Sequence, residues 1–445
     1  MSRRWILLFG LLAALPAAAL PAQGGEAAPG WALGPEPQTF SLDNGLSVIL
    51  QRDEAAPITV VQLLVRCGDR DDPPGQSGLA YLTARLCLEI TDASKLRMLM
   101  DMGSSLSLDV GGGHSLFTVR SLSRGLEPTL AVLSAMLREP LFSDLRVDGV
   151  KEWMRLVRDA ESDDPFTFMR QAAAAALYSI PAYGAARLGA AGSLERISRK
   201  TIQSFFRARY VAGNMVAVVI SDLPAQEIQP LLARHLGRLA PGAGPTTRQA
   251  TPRPPEAGQP PRLVERRTAQ ALVSFSMLLP ELTTDSFVLA SLLETWLGKG
   301  IGSRLWPLRS RGGLAYGLGA EVRPNREAML LSVFLKTEAG RAAGAQVELA
   351  RLLEAAGREG VGAAELAAAK AFAKAVFLRE NETREPRGAS MAFLEGNGLS
   401  WRLVGEFTQR LERVTLEEFN AFLKAALAPE RWFSLRIGPP AEESN

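Results

Sequence analysis

Arg309 and Tyr316 stand seven residues apart, at the end of a predicted helix and the start of a predicted strand. A guanidinium and a phenol are both strong hydrogen-bond donors, suited to an oxygen that gathers negative charge while a carbonyl is attacked. By residue type alone they read first as a solvated helix-end charge and a half-buried strand aromatic. Just upstream, Gly298-Lys299-Gly300-Ile301-Gly302 lacks the G-x-x-x-x-G-K-[ST] spacing, which argues against a phosphate loop. Its glycines suit a flexible turn with positive φ. Other chemistry is sparse. The only histidines, His114 and His235, lie 121 positions apart. His114 reads as a surface turn residue after three glycines, and His235 as a helix-end cation with a structural role. Ser77 and Ser105 have no histidine in the same motif, which argues against a serine nucleophile. Cys67 and Cys87, the only cysteines, form either a disulfide or two buried thiols, and spacing does not decide between them.

The run Gly78-Leu79-Ala80-Tyr81-Leu82-Thr83-Ala84-Arg85 resembles the metal helix of the pitrilysin and insulinase type of zinc metallopeptidase. In that family G-L-A-H-x-x-E-H sets two imidazoles one turn apart on the metal, and the Glu activates water. Here Tyr81, Ala84 and Arg85 stand at those places. A phenol, a methyl and a guanidinium cannot bind zinc and deprotonate water. Arg66-Cys67-Gly68-Asp69-Arg70, eight residues before Gly78, is similar to the strand end and loop preceding that helix. Asp163-Asp164-Pro165, followed by Ala182-Tyr183-Gly184, extends the likeness. In the family the third zinc ligand, a Glu, precedes this D-D-P by about two turns, and Val157 holds that place here. Glu152 and Glu161 are near, but a helix turns ~100° per residue and aims them elsewhere. Arg85 and Glu89, spaced i, i+4, are expected to form an ion pair where a metal would otherwise sit.

The resemblance also changes the reading of Arg309 and Tyr316. Ser303 through Tyr316 is similar to the family's second-half motif, in which an Arg and a Tyr seven residues later bind the substrate carbonyl across the chamber. It gives Gly298, Gly300 and Gly302 an alternative use as well, because a Gly-rich loop of the family's non-catalytic subunits contacts substrate.

These residues must be positioned by a chain of 445 residues, 47% hydrophobic, which is too long for one core. Arg3 and Arg4, an apolar Trp5–Leu15 and a small-residue run to Ala22 read as a signal peptide over 1–22. The apolar run is too short to span a bilayer, so the expectation is an exported, periplasmic protein with no membrane span after signal removal. Net charge of +3, without a Lys/Arg run, argues against nucleic-acid binding.

Residues 240–261, rich in Pro and Gly, read as a linker without ladder bonds between a domain at 35–239 and one at 262–440. The halves echo one another: Leu194-Glu195-Arg196-Ile197-Ser198 matches Leu411-Glu412-Arg413-Val414-Thr415 at an offset of 217. Predicted strands fall near 46–51, 59–67, 105–109, 114–120 and 215–220, then 262–266, 271–278, 315–322, 328–336 and 432–437. Predicted helices fall near 78–89, 94–102, 125–138, 146–162, 166–178 and 196–208, then 284–297, 301–310, 341–358, 363–379 and 402–413. This order gives an α+β class: two homologous domains, each an antiparallel-rich sheet with helices packed on one face, forming one half of a clamshell.

The resemblance then implies a chain that is not catalytic alone and holds no cofactor. It is expected to be the zinc-less subunit of a heterodimeric exported metallopeptidase. A homologous partner with an intact H-x-x-E-H would hold the zinc, and a peptide would be the substrate. A scaffold or peptide-binding protein with no peptidase partner is the alternative.

Overall fold

Two sheets carry the fold, and the strand order of the second repeats that of the first. The computed structural model describes residues 33–90, 92–179, 187–246, 251–253, 255, 259–266, 268–310 and 313–439. The predicted signal peptide and Ala182-Tyr183-Gly184 lie outside them. In the first half the strands are β1 (Gln38–Ser41), β2 (Ser47–Arg52), β3 (Ile58–Val65), β4 (Ser105–Val110), β5 (Ser115–Leu122) and β6 (Met215–Ser221). In the second they are β7 (Arg262–Glu265), β8 (Gln270–Leu278), β9 (Gly317–Arg323), β10 (Leu330–Glu338) and β11 (Phe433–Gly438). The first sheet runs β1-β2-β6-β3-β5-β4 and the second β7-β11-β8-β10-β9. Remove β1 and the orders coincide, with the parallel pair β2/β6 answering the parallel pair β7/β11. The strands at the end of each repeated motif, β6 and β11, take the same place in their sheets.

The central strands β3, β6 and β8 are buried on both faces because both faces are covered. In β3, Val61, Leu63 and Val65 join the core made with the first half's own helices, Leu79–Cys87 and Leu126–Arg138 among them. Leu64, with Val216, Val218 and Ile220 of β6, faces the other way into the second half's core. The helix Arg384–Gly396 of the second half lies there, against β3 and β6. Glycine makes its close approach feasible: a Cβ on Gly396 would stand 2.6 Å from Leu64 Cδ2. The exchange is reciprocal. The first-half helix Pro165–Leu177 packs on β8, β10 and β11, where Met169 and Ala172 meet Leu272, Leu435 and Ile437. Asp164 caps it by accepting from Thr167 N at 2.8 Å, with Pro165 in the first turn. Each half thus lends a helix to the other's sheet.

Charge pairs fix the exchange. Arg170 forks onto Glu321 of β9 at 2.8 and 2.5 Å, and Arg70 meets Glu327 at 3.2 Å. Asp53 receives Arg384 at 3.0 Å and Arg387 at 2.5 Å. Burial pushes the Asp53 carboxyl up, but hydrogen bonds from Arg384, the Ala55 amide and Arg387 outweigh it and hold the group at about 2.

Two expectations need correction, and one helix was not foreseen. The predicted helix 301–310 shrinks to Trp306–Ser310, because Gly300 adopts φ +81° and residues 301–305 form turns. Helix Arg384–Gly396, unread in the sequence, buries Arg384, Arg387 and Gly388 beside Met391 and Leu394, so its hidden face is only partly apolar. The segment 240–261 is tied to the body: Ala212 N and Gly213 N donate to Ala240 O and Gly242 O, Ser179 N donates to Thr251 O, and Arg253 N donates to Leu177 O. Among the described residues no helix is long and apolar enough to cross a membrane.

Candidate functional site

The helix Leu79–Cys87 starts where a metal helix should. Gly78 takes φ +92°, and a Cβ there would stand 2.9 Å from the Gly189 backbone, so only glycine fits. Asp72 holds the first turn, accepting from Gly78 N and Ala80 N at 2.7 Å each. Burial pushes the Asp72 carboxyl well up, against those two bonds. The scaffold of the helix is therefore intact while its chemistry is changed.

A stack of aromatics and cations fills the place of the ligands. Tyr81, 8% exposed, lies parallel to Trp153 with ring centroids 6.1 Å apart. Arg187 lies over the Tyr81 ring at 5.2 Å, and Arg85 lies 5.7 Å from the Trp153 ring. Arg85 also pairs with Glu89 at 2.8 Å, as its spacing implied, and Arg187 with Glu161 at 2.9 Å. Burial pushes the Tyr81 phenol above its ordinary range, against the pull of Arg187 and Arg85. Ala84 is fully buried and Val157 packs on the same core. Zinc does not fit this set. The three motif positions and Val157 offer no carboxylate, imidazole or thiolate, and two guanidiniums repel a dication. Among the described residues no cluster of three or more His, Cys, Asp or Glu side chains is arranged to hold a metal. Trp153 and Arg187 were not singled out in the sequence. Trp153 is four residues before Val157, one turn along the same helix face, and that spacing is the signal that could have found it.

Beside the stack a cavity of about 870 Å³ opens, lined by Asp69, Asp109, Trp153, Glu161, Arg187 and, from the second half, Arg323. Burial pushes Asp69 up to about 7, against the pull of Arg323. The cavity is large enough for a peptide segment.

Arg309 and Tyr316 are both exposed, and their side chains engage different neighbours. Arg309 lies 5.3 Å from the Trp306 ring, while Tyr316, 51% exposed, donates to Glu338 at 2.5 Å. That hydrogen bond and the Glu338 charge push the phenol up. Of the candidate loop, Gly298 is a packing residue: a Cβ there would meet Ala320 N at 2.1 Å. Gly300 supplies the positive φ, and Gly302 has open space around it. His114 departs from the surface reading. Its ring stands edge-on to Phe393 of the exchanged helix at 5.6 Å, and burial lowers its pKa. His235 ends its helix and lies 3.6 Å from Glu127. Cys67 and Cys87 are free, buried thiols whose pKa values burial raises.

A two-layer exchange of helices around a remodelled metal helix defines a peptidase-like chain without peptidase ligands. The chain belongs to the peptidase M16, or insulinase, family. Residues 47–190 match the family's insulinase model and residues 196–372 its "Peptidase M16 inactive domain" model. With Tyr81, Ala84 and Arg85 in the motif, it is a non-catalytic member. An uncharacterized zinc protease of Mycobacterium tuberculosis is 27% identical over 422 residues, covering 91% of this chain and 93% of that one. A crystal structure of a peptidase M16 inactive domain from Pseudomonas fluorescens shares the fold with a TM-score of 0.84 at 20% identity, covering 92% of this chain and 99% of that one. The periplasmic protease PqqL of Escherichia coli shares it with a TM-score of 0.73 at 16% identity, over 90% of this chain but 47% of that one.

Proposed function

We propose that this chain is the zinc-less subunit of an exported two-chain metallopeptidase. The observation that carries the reading is the cation–aromatic stack: the metal helix keeps its place and caps, while Tyr81, Trp153, Arg85 and Arg187 occupy the ligand side. A metal helix held in place without its ligands suits a chain that shapes a chamber for another chain's metal. In this reading residues 1–22 direct export and 35–239 and 262–440 are the two repeats, joined by 240–261. The zinc sits in a homologous partner with intact H-x-x-E-H, and the substrate is a peptide. Arg309 and Tyr316 orient the scissile carbonyl. Similarity to half of a longer periplasmic protease supports both pairing and compartment.

The experiment is turnover of a peptide by the reconstituted pair, with assembly followed by size exclusion. Tyr316→Phe removes one oxyanion donor and keeps the ring. Loss of such a donor costs about 100- to 1000-fold in rate, and Arg309→Ala is expected to match it. If both variants assemble and turn over at the parent rate, the pair is structural. A second reading, a scaffold or peptide-holding protein with no peptidase partner, draws on the contacts made here: the Tyr316 hydroxyl is already committed to Glu338 and Arg309 to Trp306.

A further inference from the structure

The second half has a cavity of its own, about 180 Å³, lined mainly by the helices Thr284–Gly298, Ala363–Glu380 and Leu403–Arg413. By their place between matching strands, the first two are the counterparts of Leu79–Cys87 and Asp144–Ser162, which frame the lost metal site. Its wall combines three phenylalanines, Phe287, Phe377 and Phe407, with Glu294, Lys299 and Glu380. Phe377 and Phe407 are stacked at 3.8 Å, and Phe287 meets Phe407 edge-on at 6.3 Å. The Lys299 ammonium stands 3.2 Å from Glu294 and 3.4 Å from Glu380. One ammonium between two carboxylates leaves this wall one negative charge in excess. Asn381 also lines the cavity. It donates from Nδ2 to Phe377 O at 2.9 Å, which fixes the amide's orientation, and its Oδ1 meets no donor among the described residues.

Size and charge together narrow the ligand. An apolar cavity of about 150 Å³ accommodates benzene, so this one takes a single ring and is too small for a folded-in peptide. Aromatic faces and surplus carboxylate favour a cation over a neutral or anionic ligand. We propose that this cavity binds a small primary ammonium carrying one aromatic ring, with its ammonium at Asn381 Oδ1 and the Glu380 carboxylate and its ring against Phe287, Phe377 and Phe407. The site is independent of the subunit reading, because it lies in the half without the metal helix and its test needs no partner.

The test is calorimetric titration of the mature chain with 2-phenylethylammonium, with 2-phenylethanol as the neutral analogue and phenylacetate as the anion. The ammonium should bind one per chain, the alcohol about 10- to 100-fold more weakly, as a lost charge-assisted bond implies, and the anion not at all. Asn381→Leu and Glu380→Gln should each weaken the ammonium about tenfold or more. Glu380 is half exposed at the rim, so its variant keeps the fold, which circular dichroism checks. Equal binding of alcohol and ammonium, ammonium binding untouched by both substitutions, or no binding at millimolar ammonium overturns the proposal.

Discussion

Restoring the catalytic motif by Tyr81→His, Ala84→Glu and Arg85→His should unsettle the protein and yield no zinc site. The size of the effect follows from what the three residues touch. Replacing Tyr81 removes its stack on Trp153, about 0.5–1.5 kcal/mol beyond burial. The contacts Arg187–Tyr81 and Arg85–Trp153, at 5.2 and 5.7 Å, are each worth about 0.5–1 kcal/mol. The partly exposed Arg85–Glu89 pair adds only about 0.3 kcal/mol. Ala84 has no exposed surface, so a Glu there overfills the core by about 1–3 kcal/mol, before any cost of burying its charge. The total is roughly 3–7 kcal/mol, a large share of the about 5–15 kcal/mol that a folded protein commands. Thermal unfolding and zinc competition against a chelator measure the two halves of the claim. Tyr81→Phe, which keeps the ring, should melt with the parent. A triple variant that melts with the parent and holds about one zinc per chain would refute the stack as the occupant of the ligand place and Val157 as the third ligand position.

Two further outcomes follow from the structure. Asp53→Asn should destabilise the chain by about 1–3 kcal/mol at pH 7, since Arg384 and Arg387 lose their charged acceptor. Because the folded carboxyl is held at about 2, below its ordinary value, its contribution is present above pH ~4 and fades as pH falls toward 2. Urea midpoints of parent and variant should therefore converge in acid, and a constant gap from pH 7 to 2 would contradict the assignment. Gly298→Ala drives a Cβ into the Ala320 backbone and should cost about 1–3 kcal/mol. Gly302→Ala, with open space around it, should leave the melting temperature unchanged, and equal melting of the two variants would remove the distinction.

The metal helix was legible because its absence was as specific as its presence: Gly78, Leu79 and Ala80 match the family's run, and the three positions that bear the chemistry are the ones that differ. The repeat was legible at Leu194–Ser198 and Leu411–Thr415, and the matching sheet orders extend it to the whole topology. The stack was legible only in part. Trp153 lay within reach through its spacing to Val157, but Arg187 reaches Tyr81 from 106 positions away in sequence, and no local pattern links it to that helix. Helix Arg384–Gly396 escaped for a different reason: it inserts between the halves, where Arg384 and Arg387 answer Asp53, so its buried face carries charge and the apolar period is broken. His114 was misread for the same cause, because its neighbour Phe393 belongs to that unread helix.

The exchanged helices also explain how the fold outlives its metal. A zinc site would have tied Leu79–Cys87 to Asp144–Ser162 through ligands on both. Here the Tyr81–Trp153 stack and the Glu89 bridge to Arg85 and Arg146 (2.8 and 3.4 Å) make the same link with side chains alone. The two halves are separately locked by Arg170–Glu321, Arg70–Glu327 and the Asp53 pairs, none of which involves the metal helix. The helix and the interface are therefore each held without zinc ligands, and the cavity beside them keeps its walls. That separation of chemistry from architecture is what allows a non-catalytic chain to retain the shape of a peptidase half.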